Sequence, residues 1–153
     1  MDLFVKEFIY ILHELLNNKV KFVLLGGLAV NLYGYRRATS DMDILFEASE
    51  DNSKRLINSL EKMGYDTSSI ASGELQKKIN FRLGEPGLSV DFMNATKGID
   101  YDEVFQNAKI FEIENLKVPV IHINHLIENK IALNTFKDLD DAEKLKEIRF
   151  NLK

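Results

Sequence analysis

The chain has 153 residues, 45% of them hydrophobic and 29% charged, the ordinary balance of one globular domain with a real core. Its formal net charge is −4 and its sequence pI is about 5.4. These values argue against a broad surface for coating nucleic acid, which needs clustered excess Lys and Arg. Small basic patches at Arg36-Arg37 or at Lys77, Lys78 and Arg82 remain compatible with them. The sequence has no cysteine, which excludes disulfides and thiolate metal sites. No apolar run is long enough to cross a bilayer, and the first residues do not read as a signal peptide. A cytoplasmic location without membrane contact is the expectation.

In chain order, Phe4, Phe8, Ile11, Leu12 and Leu15 recur at helical spacing and predict an amphipathic helix from about Leu3 to Asn17. Lys21 to Leu25 is a short run rich in Val, Phe and Leu, bounded by Gly26-Gly27, and reads as a buried strand. A short helix follows over Leu28 to Tyr33, starting at the glycines and stopped by Gly34. Ser40 to Phe46 predicts a second strand, and Asp51 to Met63 a helix with Gly64 as its stop. Serines and Gly73 suggest a loop over 66–76. Lys78–Leu83 and Leu88–Met93 read as strands joined by the turn Gly84-Glu85-Pro86-Gly87. A short helix over Tyr101–Asn107 precedes two strands, Ile110–Ile113 and Leu116–Ile121, paired around Glu114-Asn115. Two helices close the chain, Asn124–Asn134 and Asp138–Arg149, the second with Asp138 as its N-cap. There is no repeat and no linker. The expected fold is α+β: a mixed sheet of about four or five strands with helices packed on one side. One domain spans 1–153, with a core over about 1–121 and a helical C-terminal extension over about 122–153.

The chemistry concentrates between Phe22 and Phe46. Residues i and i+2 of a strand share a face, so Asp41 and Asp43 project together while Met42 and Ile44 enter the core. Two carboxylates about 4 Å apart repel by on the order of 4 kcal/mol at an effective dielectric near 20. Either one is protonated or a cation sits between them. Mg²⁺ suits such a pair when phosphate oxygens complete its shell. Gly26 and Gly27 let backbone approach a ligand closely, and a following helix N-terminus offers free N–H groups to a phosphate. Asp91 interrupts the apolar strand Leu88–Met93, where a charge is costly unless paired or metal-bound. It is the candidate third carboxylate of a two-metal site.

The order of these residues resembles the nucleotidyltransferase superfamily that includes DNA polymerase beta: an apolar strand, Gly26-Gly27, a short helix, Asp41-x-Asp43 on the next strand and Asp91 on a later one. The stretch from Gly26 through Arg36, Arg37 and Ser40 to Ile44 is more similar to a small prokaryotic branch related to AbiEii-type toxin nucleotidyltransferases. So is the C-terminal pattern Leu126 to Lys130 followed by Lys137-Asp138. The resemblance implies transfer of a nucleoside monophosphate from a nucleoside triphosphate to an acceptor hydroxyl, with release of pyrophosphate. It implies that Asp41, Asp43 and Asp91 are catalytic and hold Mg²⁺, and that Gly26 and Gly27 cradle the triphosphate. The acceptor is open: an RNA end such as tRNA, a protein or a small molecule. The alternative is a non-catalytic module of the same fold, working with an antitoxin-like or other two-component partner. Gly27 stands where many superfamily members have a serine, which removes a hydroxyl contact to phosphate.

Lys130 is the candidate phosphate-binding cation of the C-terminal helices, against a snorkelling surface lysine. Of Arg36 and Arg37, one is expected to bind phosphate or acceptor, with Arg37 assigned to the nucleotide. The other is expected on the surface or paired with Glu47. His122 and His125 lack a third ligand and read as helix-start residues rather than zinc ligands.

Overall fold

The computed structural model describes residues 4–70 and 73–152. Leu3, at the expected start of the first helix, and Ser72, in the expected loop, lie outside them. The elements run α1 (Lys6–Asn17), β1 (Phe22–Leu25), α2 (Gly26–Leu32), β2 (Met42–Phe46), α3 (Glu50–Lys62), a 3₁₀ turn (Glu74–Gln76), β3 (Asn80–Leu83), β4 (Val90–Met93), α4 (Tyr101–Gln106), β5 (Lys109–Ile113), β6 (Leu116–Val120), α5 (Ile123–Leu133) and α6 (Phe136–Asn151).

Among the described residues, six strands form one mixed sheet in the order β3-β4-β2-β1-β6-β5. The pairs β1–β2, β3–β4 and β5–β6 are antiparallel, whereas β2–β4 and β1–β6 are parallel. The sheet is wider than the four or five strands expected, because the β5–β6 hairpin also joins it, beside β1. Its turn residues Glu114 and Asn115 both have positive φ, 48° and 69°. A two-residue turn of this hand matches the twist of the flanking strands.

All four residues of β1 are buried. Successive side chains of a strand point to opposite faces, so the sheet is covered on both sides at its centre and not on one side as expected. One continuous core runs from Phe8, Leu12 and Leu15 of α1 through Phe22, Leu24, Ile44, Phe46 and Phe92 to Leu126 and Leu145. Leu75, in the stretch expected to be loop, is fully buried in the 3₁₀ turn. Polar staples fix the central strands. The buried Asn52 side chain accepts from the Lys21 N–H at 2.7 Å and donates to the carbonyls of Lys21 and Glu47, both at 2.9 Å. It thereby clips the start of β1 to the end of β2.

The last helix starts two residues earlier than expected. Thr135, not Asp138, is its N-cap, and its hydroxyl accepts from the Asp138 N–H at 3.1 Å. The Asp138 carboxylate accepts in return from that hydroxyl at 2.7 Å. This reciprocal arrangement needs a carboxylate three residues inside the helix, and that is the position Asp138 occupies. Its other oxygen is thereby aimed toward α5. Among the described residues, no helix is long and apolar enough to cross a membrane.

Candidate active site

The parallel register of β2 and β4 sets Asp43 opposite Asp91. Neighbouring strands lie about 4.8 Å apart and register partners face the same way, so both carboxylates stand on one face. Asp41 precedes β2 by one residue, and its Oδ1 accepts from the Ser89 hydroxyl, just ahead of β4, at 2.5 Å. The neighbouring backbone is tied by Met42 N–H donating to the Ser89 carbonyl at 3.0 Å. The alternation expected of Asp-x-Asp holds: Met42 and Ile44 are fully buried.

Asp43 is half-buried against the β1–α2 turn. Burial, reinforced by Asp91 and by Asp41, pushes its carboxyl up from the usual 3.8 to about 7, against the pull of Lys130 and Arg82. Its backing is Gly26, which has φ +73°. A Cβ on Gly26 would sit 1.9 Å from Asp43 Oδ2, so only glycine lets this carboxylate lie against the β1–α2 turn. The next residue, Gly27, is crowded on the other side, where a Cβ would meet Thr39 Oγ1 at 2.6 Å and Arg37 Nη1 at 3.3 Å. No side chain caps the first turn of α2. Gly26→Ala is expected to expel the Asp43 carboxylate from its position and to add about 1–2 kcal/mol of backbone strain. The expected result is loss of measurable nucleotidyl transfer with a lowered urea midpoint, read by product assay and by denaturation.

Two cationic arrangements surround these carboxylates. Arg82 on β3 is the register partner of Asp91. Its Nε donates to Asp91 Oδ1 at 2.7 Å and its Nη2 to Asp91 Oδ2 at 3.0 Å. Nη2 also lies 3.8 Å from Asp41 Oδ2. The sequence offered Arg82 only as part of a surface patch; its pairing depends on which strand lies beside β4. On the other side is a buried chain of charges. Arg37 grips Asp141 through Nε at 2.7 Å and Nη2 at 2.6 Å. Lys130 Nζ is 3.0 Å from both Asp138 and Asp141. Asp141 is fully buried and Lys130 nearly so. Burial alone would raise the Asp141 carboxyl, but hydrogen bonds from Arg37 and Lys130 outweigh it and hold the group below the usual range.

Lys130 is therefore not a snorkelling surface lysine. It lines a cleft of about 270 Å³ with Gly26, Asp43, Asn80, Thr96 and Asp138, among others. Arg37 faces Asp141 rather than open solvent. Glu47 pairs with Lys21 at 3.8 Å and with neither arginine. His122 is the N-cap of α5, accepting from Asn124 N–H through Nδ1 at 3.1 Å, which matches its reading as a helix-start residue. A larger cavity of about 570 Å³ lies between α1 and the β5–β6 turn, lined by Phe4, Ile9, Tyr10, His13 and Leu116, among others. It contains none of the three aspartates.

With Arg82 on Asp91, the three carboxylates do not close a ready cage, and no group of three or more His, Cys, Asp or Glu poised to hold a metal occurs among the described residues. The donor set nonetheless fits a hard divalent cation. It is all oxygen, and a carboxyl held near 7 by burial is relieved by a positive charge.

Residues 4–153 match the model of a family described as "Nucleotidyl transferase of unknown function (DUF2204)". The chain belongs to this family. It is thus a nucleotidyltransferase, the enzyme class expected from the sequence. No curated protein matches this family member significantly. Solved structures share its fold. The lincosamide antibiotic adenylyltransferase LnuA in its lincomycin-bound form has a TM-score of 0.63 at 22% identity, over 97% of this chain and 99% of that one. A nucleotidyltransferase-like protein from Thermotoga maritima has a TM-score of 0.56 at 19% identity, over 96% and 91%.

Proposed function

We propose that this transferase moves a nucleoside monophosphate from a nucleoside triphosphate to a hydroxyl of a small-molecule acceptor, with Mg²⁺ held by Asp41, Asp43 and Asp91. The observation that carries this reading is the register of Asp43 against Asp91, with Asp41 alongside and the Gly26 turn behind. Bound there, a divalent cation would lower the acidity threshold of the acceptor hydroxyl and neutralise charge on the phosphates. The chain's own groups do the rest. The β1–α2 turn receives the triphosphate through the N–H groups at the start of α2. Lys130, on the wall of the cleft, sets a positive charge beside Asp43. The acceptor oxygen attacks the α-phosphorus and the bond to the β-phosphate oxygen breaks. Pyrophosphate leaves, and the acceptor proton passes to Asp91. Positioning and charge neutralisation supply most of the acceleration in such chemistry.

A small acceptor is favoured over a nucleic acid or protein by the cleft. Its volume of about 270 Å³ lies just under the lower limit, about 300 Å³, of small-molecule sites. Its walls combine apolar Leu25, Met93 and Leu133 with polar Asn80, Thr96 and Asn129. The net charge of −4 gives little attraction to a polyanion. The adenylyltransferase LnuA, whose structure holds lincomycin, shares the fold. The test is incubation with each α-labelled nucleoside triphosphate and Mg²⁺, first with a panel of hydroxylated small molecules and then with RNA and protein. Label in a small molecule with stoichiometric pyrophosphate supports the reading. Label confined to RNA or protein overturns the acceptor, and orthophosphate as the only product overturns the reaction.

A further inference from the structure

Arg82 stands beside the carboxylates of the site just proposed. It sits at the edge of the sheet on β3, with its side chain 60% exposed. Its fork takes one oxygen of Asp91 with Nε and the other with Nη2, while Nη2 also approaches Asp41. Among the described residues it is the cation that forms ion pairs with these carboxylates. Arg37 and Lys130 are committed to Asp138 and Asp141, two positive charges against two negative. A bidentate guanidinium is the strongest single partner a carboxylate finds among side chains, and it lies where a cation would otherwise meet Asp91.

We propose that Arg82 is a resident counter-cation of the carboxylate site, which a divalent cation must displace from Asp91, and that the displaced guanidinium then pairs with a phosphate of the nucleoside triphosphate. The inference rests on the metal-dependent reading above. Its physical basis is competition. Arg82 neutralises charge that would otherwise drive metal uptake, and Asp91 cannot give both oxygens to the fork while ligating an ion or accepting the acceptor's proton. Displacement is feasible because the Arg82 side chain is 60% exposed, so water takes up the fork's hydrogen bonds when it swings away. A triphosphate offers the fork a new anion of the geometry that arginine prefers. Metal and nucleotide then favour each other's binding, and by linkage the coupling is reciprocal. In the free protein Arg82 offsets one negative charge at this edge.

The test is binding, not turnover. Mn²⁺ is titrated into wild-type protein, Arg82→Gln and Arg82→Lys by electron paramagnetic resonance, with and without a non-hydrolysable nucleoside triphosphate. Removing the competitor is expected to tighten Mn²⁺ binding to the nucleotide-free protein about three- to tenfold in Arg82→Gln. The same variant is expected to bind the nucleotide several-fold more weakly. Arg82→Lys, which keeps the charge and loses the fork, falls between in both measurements. Thermal midpoints close to wild type show that the exposed position tolerates the changes. Weaker or unchanged Mn²⁺ binding in Arg82→Gln overturns the proposal, since it would make Arg82 only a brace for Asp91. Failure of wild-type protein to bind Mn²⁺ even with nucleotide would instead remove the metal-dependent reading, and this inference with it.

Discussion

Asp43→Asn is expected to lower nucleotidyl transfer by about a hundred- to a thousandfold, the scale seen when one preorganised stabilising group is removed from an active site, while making the metal-free protein more stable at pH 8. The two effects share one cause. Asp43 is walled in by Gly26 and faces Asp91, so its charge is costly without a cation. Burial, then Asp91, raises its carboxyl from 3.8 to about 7. An acid whose affinity for protons rises on folding makes the folded state bind more protons than the unfolded one between those two values. Stability must then fall as pH rises across that window, and the full penalty is present above pH 7. Each tenfold change in proton affinity is worth about 1.4 kcal/mol, so the upper bound is about 4 kcal/mol.

Urea unfolding in chelator is the measurement. Wild type is expected to lose stability from pH 5 to pH 8 in excess of what Asp43→Asn loses. Adding Mg²⁺ or Mn²⁺ at pH 8 is expected to restore wild type and to leave the variant almost unmoved. An identical pH slope for both proteins would mean that the Asp43 charge is solvated and that the site has no particular need of a cation.

What the sequence reveals here is set by how far apart the interacting residues are. The β1–α2–β2 segment was legible because it is continuous: an apolar run, two glycines, a short helix and an alternating strand place Gly26, Asp41 and Asp43 within eighteen positions. Asp91 was legible for a different reason, since a charge inside an apolar strand demands a partner. Helix ends were blurred by one to three residues. Asp138 resembled an N-cap because the true cap, Thr135, uses it as the reciprocal acceptor, and either residue type suits either position. The strand order was not legible. Nothing local says that β3 flanks β4 or that β6 lies beside β1. The role of Arg82 follows from that order, so it was hidden. The Arg37–Asp141 pair spans 104 positions. Asp141 stands in an acidic run with Asp138 and Asp140, and the packing of α6 on α5 buries it. A signal was present in the pattern: Asp141 lies one residue before Ala142 and four before Leu145, on the buried side of α6.

Asp141→Ala is expected to be the most destabilising single change at the site, by about 3–5 kcal/mol, the cost of leaving buried partners without their counter-charge. Asp141 is fully buried and accepts both donors of the Arg37 fork, with Lys130 3.0 Å away. After truncation Lys130 keeps Asp138, but Arg37 keeps only the Ala38 carbonyl. The consequence reaches the carboxylates. Arg37 lies four residues before Asp41, and its backbone N–H is held by Asn31 of α2 at 3.1 Å. The Arg37–Asp141 pair is thus the strut between α6 and the segment that delivers Asp41 to β2. Variants that keep the fold at low temperature are expected to lose kcat more than they gain KM for the triphosphate, because Asp41 is misplaced rather than removed. The pH dependence has the opposite sign to that of Asp43. The Asp141 carboxyl is held below its usual range because the hydrogen bonds from Arg37 and Lys130 overcome burial. Its stabilisation is present above pH 4 and disappears as pH falls through the lowered value. The decisive comparison is a double-mutant cycle with Arg37→Met and Asp141→Leu. If the pair acts as a strut, the double variant recovers about 1–3 kcal/mol relative to the sum of the single ones, because it leaves no unpaired charge from that pair. It stays impaired in transfer, since an apolar contact does not fix the geometry that the fork imposes. Additive stabilities would show that the two side chains act independently, and that Asp41 is positioned by its Ser89 contact and the β2–β4 ladder alone.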